Sequence, residues 1–284
     1  MSAIWISFFS LVSICAPALG GNLVDATGAS LRISSPPQRV VTLMPAITEF
    51  TVDLLGPLER KRLVAAVDFP GHQVEGTKAL GPYHRFNLES VVAAKPDLVL
   101  ASKGGNSKES VLALKRLGLQ VFVVDPRDLS GVFRSLSLIA QVLHKSEKGA
   151  LLISKMKRDL EALRVQLGAN PKKVAVQLGD HPFVVAGGGT LIQELLQWVG
   201  VKNIFSDLKG YPRVSVETLL KRSPDKLVVM RMGEKGGVVR KSVQKWKKLI
   251  SGPRRVVIFS DDNLLRPSPS MVPALKKLKE LIDE

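Results

Sequence analysis

One pattern occurs twice in this chain, once in each half, and it limits the possible folds more than any other feature. NLESVVAAKPDLVLA at Asn87–Ala101 places Glu89 seven residues before Pro96 and eight before Asp97; VSVETLLKRSPDKLVVM at Val214–Met230 places Glu217 seven before Pro224 and eight before Asp225. Each unit reads as a short helix that opens near its acid, is stopped by proline and continues into an apolar strand. Asn87 and Ser215 are suitable N-caps, and a carboxylate two residues further on sits among free backbone N–H groups. Two readings of Glu89 and Glu217 follow. Either each acid stabilises its own helix terminus, or the two are matching exposed acids on equivalent lobe surfaces, placed to meet a two-fold symmetric basic partner.

The segments around the repeat extend the same alternation. RVVTL from Arg39, a helix through Ile47 to Leu55, RLVAAV, a helix over Leu88–Ala94, DLVLA, a helix near Lys108–Leu117 and QVFVV make one series. A second begins at Lys173 with KVAVQL. It continues through helices at Thr190–Val199 and Val216–Arg222, KLVVM, a helix near Lys241–Leu249, RRVVIF and a final helix over Ser270–Ile282. Short apolar strands alternating with helices predict parallel sheets covered by helices. Between the series, after a helix at Leu129–Leu143, Leu152, Met156, Leu160, Leu163 and Leu167 recur at spacings of four, four, three and four. That is the period of an amphipathic helix, a stiffer connection than a Gly/Ser tether, and it restricts two lobes to small rocking motions. The expected fold is therefore α/β: two Rossmann-like lobes with parallel sheets joined by a long rigid backbone helix. The division is residues 1–20 as a leader, 21–144 as the N-terminal lobe with its leading segment, 145–168 as the linking helix and 169–284 as the C-terminal lobe.

The leader is read from its composition. Residues 1–20 contain no Lys, Arg, Asp or Glu and end in small residues, as an export signal does, although the usual positive first region is missing. A permanent span needs about 20 apolar residues, and this run is interrupted by Ser13, Cys15 and Pro17. Cleavage soon after Ala18 or Gly20 is expected over an uncleaved anchor, and bulky Ile14 argues against lipidation at Cys15. Since Cys15 is the only cysteine, the exported chain has no disulfide and no thiol nucleophile.

Forty-one Lys and Arg against 25 Asp and Glu give a formal charge of +16. Such a charge admits nucleic acid, an anionic membrane or an anionic small ligand as partner. The cations, among them Lys155, Lys157, Arg158, Lys245, Lys247, Lys248, Lys276, Lys277 and Lys279, are spread along helices without the motifs of nucleic-acid readers, so solvated helix faces are expected and nucleic acid is not. A basic surface or nucleic-acid-binding protein stays as the alternative from another class. GGGT at Gly187–Thr190 lacks the lysine of a phosphate loop and the glycine spacing of a dinucleotide site, and reads as a tight turn. The sequence has no G-x-S-x-G elbow and no H-E-x-x-H. His72, His144 and His181 form no metal-ligand spacing. No enzyme activity and no intrinsic cofactor are expected.

RVVTLMPAITEF at Arg39–Phe50, DFP at Asp68–Pro70, the first repeat, GGN at Gly104–Asn106, LKRLGLQVFVVDP at Leu114–Pro126 and RVSVETLLKRSPDKLVV in the second half together resemble the helical-backbone class of periplasmic substrate-binding proteins. Within that class the resemblance is to the vitamin B12-binding branch, and it covers nearly all of the chain after the leader. It implies two lobes on one long helix, a ligand in the cleft between them, and one glutamate from each lobe engaging arginines of an ABC importer's paired permease subunits. By position those acids are Glu89 and Glu217. The resemblance also implies a monomer working in the periplasm.

In that branch aromatic rings line the cleft. Matching positions here are Tyr83, Phe183 and Tyr211, whereas Ala66 and Ser102 stand where two further rings are expected. Rigid rings suit a large, partly apolar ligand, so cobalamin or a related corrinoid is the implied ligand. Haem or a ferric siderophore is the alternative: Tyr83, followed by His84 and Arg85, offers a phenolate donor for the iron of a haem beside a positive charge. Arg266, before the final helix, can grip a carboxylate or phosphate of the ligand, or be held by Asp261 or Asp262.

Overall fold

The computed structural model describes residues 22–68, 74–230, 243–244, 246–250 and 256–284. The leader, Cys15, Phe69, Pro70 and His72 lie outside them. A short antiparallel hairpin, β1 (Asn22–Val24) and β2 (Ser30–Arg32), precedes the N-terminal sheet. That sheet comprises β3 (Val40–Thr42), β4 (Leu63–Asp68), β5 (Lys78–Pro82), β6 (Leu98–Ser102) and β7 (Val121–Val124), all parallel in the order β5-β4-β3-β6-β7. Its helices are α1 (Pro45–Glu59), α2 (Leu88–Ala93), α3 (Lys108–Arg116) and α4 (Leu129–Val142). α5 (Ser146–Ala162) connects to a second sheet of β8 (Lys173–Gly179), β9 (Val184–Val185), β10 (Lys202–Asn203), β11 (Lys226–Met230) and β12 (Val256–Phe259). There the order β10-β8-β11-β12 is parallel, and β9 lies antiparallel on β8. α6 (Leu191–Trp198), α7 (Val216–Arg222) and α8 (Met271–Asp283) complete the chain. Within the predicted helix near Lys241–Leu249, residues 243–244 and 246–249 are helical.

Strand periodicity decides how these pieces pack. Successive side chains point to opposite faces, so Leu98 and Leu100 of β6 and Phe122 and Val124 of β7 enter one cluster while Val99, Ala101, Val121 and Val123 enter another. The second sheet does the same, with Val174, Val176, Val228 and Met230 opposite Ala175, Leu227 and Val229. The two inner faces share a single cluster: it includes Phe50 and Leu54 of α1, Leu136 and Ile139 of α4, Met156 and Leu160 of α5, Leu195 and Leu196 of α6, and Leu275 and Leu278 of α8. The lobes are therefore joined by a common layer of helices, of which α5 is one member.

The repeat is a structural unit with the same parts in both lobes. The Asn87 carboxamide oxygen accepts from the Ser90 N–H at 2.6 Å, and Ser215 Oγ from the Thr218 N–H at 3.0 Å. Lys95 and Ser223, immediately before the prolines, both end their helices with a left-handed φ of 45°. The acid after proline then grips the first strand of its lobe. Asp97 accepts from the Gln38 and Arg39 N–H groups at 2.6 and 2.9 Å, and Asp225 from the Lys173 N–H at 2.8 Å. Each Asp N–H returns a bond, to the Arg39 oxygen at 3.0 Å and the Lys173 oxygen at 2.7 Å.

The connector differs from its predicted extent. α5 ends at Ala162, and Leu167, the last member of the apolar stripe, is 53% exposed. The chain leaves the helix because Val165 donates its N–H to the Trp198 oxygen at 3.0 Å, and Val165 forms an isolated parallel bridge with Val199. Trp198 reaches back, its indole N–H donating to the Leu160 oxygen at 2.7 Å. At the other end α5 lies so close to α4 that a Cβ on Gly149 would stand 2.4 Å from the Ala140 Cβ.

This close approach gives a stability prediction. Gly149→Ala should destabilise the protein by about 1–3 kcal/mol, overpacking outweighing alanine's better helix propensity. Gly168→Ala, where a Cβ meets nothing within 4 Å, should stay within about 0.5 kcal/mol of the parent. Urea unfolding of the two variants measures the difference.

Candidate functional site

A cleft of about 600 Å³ opens between the lobes, lined by Met44, Pro45, Ala46, Asp68, Pro82, Tyr83, His84, Asp262, Leu265, Arg266 and Pro267. Its position follows from the topology. In an open parallel sheet, loops at the carboxyl ends of the strands diverge where the strand order reverses, leaving a crevice there. In the first sheet the reversal is at β3, whose neighbours β4 and β6 lie on either side. Met44–Ala46 follow β3, Asp68 ends β4 and Pro82 ends β5. From the second lobe, residues 262–267 follow β12 and complete the opposite wall.

Tyr83 and Arg266, named from different halves of the sequence, line the same cleft. Tyr83 is 40% exposed and its ring meets that of His84 edge-on with centroids 5.4 Å apart. Arg266 has an extended backbone before Pro267, the conformation a residue preceding proline prefers. Its N–H donates to the Asn263 oxygen at 3.1 Å and its oxygen accepts from the Ser268 N–H at 2.8 Å, so its backbone is fixed on both sides. Asp261, one of the acids expected near it, accepts from Lys277 Nζ at 2.7 Å.

The other two expected cleft rings have different surroundings. Phe183 belongs to the core of the second lobe: it is 9% exposed and packs on Trp246 with ring centroids 5.1 Å apart, so its surface goes into packing. Tyr211 is 56% exposed, on the loop that follows Gly210. Its loop is held against the sheet edge by the Val185 N–H donating to the Pro212 oxygen at 3.1 Å and the Gly187 N–H to the Gly210 oxygen at 2.8 Å. The surrounding protein raises the Tyr211 phenol pKa by desolvation. Ala66 and Ser102 are buried.

Asn106 is a site residue whose role sequence reasoning missed. Buried at 8% exposure, it accepts the Ser102 N–H at 2.9 Å and donates to the Leu43 oxygen at 2.8 Å and the Tyr83 oxygen at 3.3 Å. One amide thus ties the Tyr83 loop to the ends of β3 and β6. The available signal was an amide side chain just after a strand end, in GGN. Sequence reasoning also missed β5, which delivers Tyr83 to the cleft; Lys78–Pro82 contains Gly and Pro and no β-branched residue.

Glu89 and Glu217 are exposed, because Asn87 and Ser215 perform the side-chain capping. Both helices run back toward the next strand, so their N-termini lie on the side of the carboxyl ends, where the cleft opens. Glu217 pairs with Lys221 at 2.9 Å across one helical turn, with 74% of the glutamate side chain exposed. Two amides of the GGGT segment are taken by backbone, the Gly187 N–H donating to the Gly210 oxygen at 2.8 Å and the Gly188 N–H to the Leu208 oxygen at 2.6 Å, while Thr190 Oγ1 accepts from the Gln193 N–H at 3.2 Å and caps α6. Among the described residues no three His, Cys, Asp or Glu converge as a metal site, and no helix is long and apolar enough to cross a membrane.

The sequence profile of the family described as periplasmic binding protein matches residues 40–247. The vitamin B12-binding protein of Salmonella typhi is 31% identical over 242 residues, covering 84% of this chain and 88% of that protein. Among solved structures, the periplasmic heme-binding protein of Vibrio cholerae superposes with a TM-score of 0.73 at 21% identity, covering 87% of this chain and 99% of the other. An ABC-type Fe3+-hydroxamate transport system protein of Saccharomonospora viridis gives 0.74 at 18% identity, covering 94% and 100%. The last two likenesses establish the shared two-lobed fold.

Asn106→Ala should leave two carbonyls and one N–H without their buried partner, at a cost of about 1–3 kcal/mol. Ligand affinity should fall although Tyr83 is unchanged. Calorimetric titration and thermal unfolding of the variant beside Tyr83→Ala separate the two effects.

Proposed function

The chain belongs to the periplasmic binding protein family, and on that premise we propose that it captures cobalamin or a related corrinoid in the interlobe cleft and delivers it, as a monomer in the periplasm, to an ABC importer. The observation that carries this reading is the cleft itself: an aromatic ring, apolar surface from Met44, Pro45, Leu265 and Pro267, and the cation of Arg266 converge on one opening of about 600 Å³. That combination suits a ligand with a broad apolar face and an anionic or strongly polar edge. The 31% identity to a vitamin B12-binding protein supports a corrinoid within this class. A basic nucleic-acid surface has less support, since Lys155 pairs with Asp159, Arg164 with Glu161 and Lys277 with Asp261.

Haem is the second reading, favoured by Tyr83 and His84 lying together at the cleft wall. Phenolate oxygen and imidazole nitrogen are both suitable donors to iron in a bound haem. Ferric hydroxamates fall in the same class of cargo. Titration of the protein with cyanocobalamin, cobinamide, haemin and a ferric hydroxamate, followed by absorbance and tryptophan fluorescence, should give one-to-one saturation with a corrinoid. Preference for haemin, with a tyrosinate-iron spectrum lost in Tyr83→Phe, would move the assignment to haem.

Delivery rests on Glu89 and Glu217 under this proposal. On a chain of formal charge +16, two exposed acids at equivalent helix starts provide local attraction to arginines against an unfavourable background. Charge reversal of both should weaken docking to the reconstituted importer more than either single change. The cost of each is about 2–5 kcal/mol if its pair is desolvated and much less at a wet rim. Ligand affinity of the isolated variants should stay at the parent value; unchanged docking and uptake in a folded Glu89→Lys, Glu217→Lys double variant would refute the assignment.

A further inference from the structure

Below the cleft, a carboxylate of one lobe holds the loop of the other. Glu49 sits on α1 one turn after Pro45, which lines the first wall. Its Oε2 accepts from Ser268 Oγ at 2.8 Å and from Ser270 Oγ at 2.9 Å, and its Oε1 from the Ser270 N–H at 2.9 Å. Ser268 is fully buried, and its hydroxyl also lies 3.0 Å from that of Ser270. These serines open α8 and stand two and four residues beyond Arg266, with Pro267 stiffening the step. Three hydrogen bonds to a single carboxylate, in a partly buried place between lobes, exceed what capping one helix requires.

We propose that Glu49 is a positioning residue for ligand capture: by fixing Ser268 and Ser270 against α1, it sets where Arg266 stands on the opposite cleft wall. The chain is short and stiff enough to carry this effect. The Ser268 N–H donates to the Arg266 oxygen at 2.8 Å, and the Met271 N–H to the Ser268 oxygen at 3.1 Å, so the segment between the clamp and the arginine is closed by its own backbone bonds. Asp53, one turn further along α1, senses the negative charge of Glu49. Its pKa is raised to about 6, first by burial and next by Glu49, with Lys148 opposing. The inference rests on the ligand-capture reading, and Arg266 is the group through which Glu49 acts on an anionic portion of the ligand, such as a phosphodiester or a propionate.

A double-mutant cycle between Glu49 and Arg266 tests it, with cyanocobalamin and haemin as probes and amide hydrogen exchange over residues 262–271 as a readout free of ligand. Glu49→Gln turns one acceptor oxygen into a donor facing donors. It should weaken the probe that the parent binds by about ten-fold, the scale of a lost charged hydrogen bond, and speed exchange of the Ser270 N–H. In an Arg266→Ala background the same change should weaken binding by less than about two-fold, because the group being positioned is gone. Equal losses in both backgrounds, unchanged affinity of folded Glu49→Gln, or an Arg266→Ala variant that binds like the parent would each overturn the proposal. Should Glu49→Gln fail to fold, Ser270→Ala removes one bond from the other side and enters the same cycle. If neither probe binds the parent while exchange at 262–271 still depends on Glu49, the capture reading falls and the clamp on the loop stands.

Discussion

The shared inner hydrophobic layer is the constraint on which the rest of this structure depends. Each sheet buries one face in its own outer cluster and the other in a common cluster of helices. Separating the lobes would expose side chains such as Leu136, Ile139, Met156, Leu160, Leu195 and Leu275, all nearly or fully buried, and each buried side chain of this size is worth about 1.5–3 kcal/mol. Two lobes built on a common core cannot part without exposing it. Cross-lobe carboxylates add direction to that packing. Glu194 of α6 accepts the Leu129 N–H at the start of α4 at 2.7 Å, and Glu49 of α1 accepts the Ser270 N–H at the start of α8 at 2.9 Å. Each lobe thus supplies an acid to a helix terminus associated with the other, where the helix dipole favours negative charge.

The duplicated segment shows how local chemistry and surface function can occupy the same few residues without conflict. Asn87 and Ser215 cap, Lys95 and Ser223 turn the backbone, and Asp97 and Asp225 grip the first strands. With those tasks filled, Glu89 and Glu217 are left exposed on the cleft side of their lobes. The geometry accounts for why two acids remain available on a basic protein, and the difference between them is also physical: Glu217 has Lys221 one turn away, and no ion pair is found for Glu89 among the described residues.

Much of this was legible in the sequence because it is encoded by short-range rules. Parallel strands read as apolar runs, and α7 and β11 fall at their predicted bounds, Val216–Arg222 and Lys226–Met230. The break of α1 coincides with the predicted end at Leu55, since Gly56 leaves the helical region with φ 67° just before Pro57. Periodicity was less informative at Leu167, where a bridge between Val165 and Val199 competes with the last helical turn. Nor did the sequence reveal β5, an edge strand whose register comes from pairing with β4.

The sequence by itself determined the α/β class, the two series of strands, the caps and the place of Glu89 and Glu217 in two copies of one local pattern, because each element and each copy follows from residues within a few positions of one another. Tertiary structure decided the surroundings of Tyr83 and Phe183. Tyr83 and Phe183 are equally plausible as rings in loops; one lines the cleft because Asn106 and β5 hold its backbone there, and the other is taken into the core by Trp246, 63 positions away. The same holds for Glu49 and Ser268, separated by 219 positions. Long-range contacts form only when the common core brings distant segments together, and no local propensity records them.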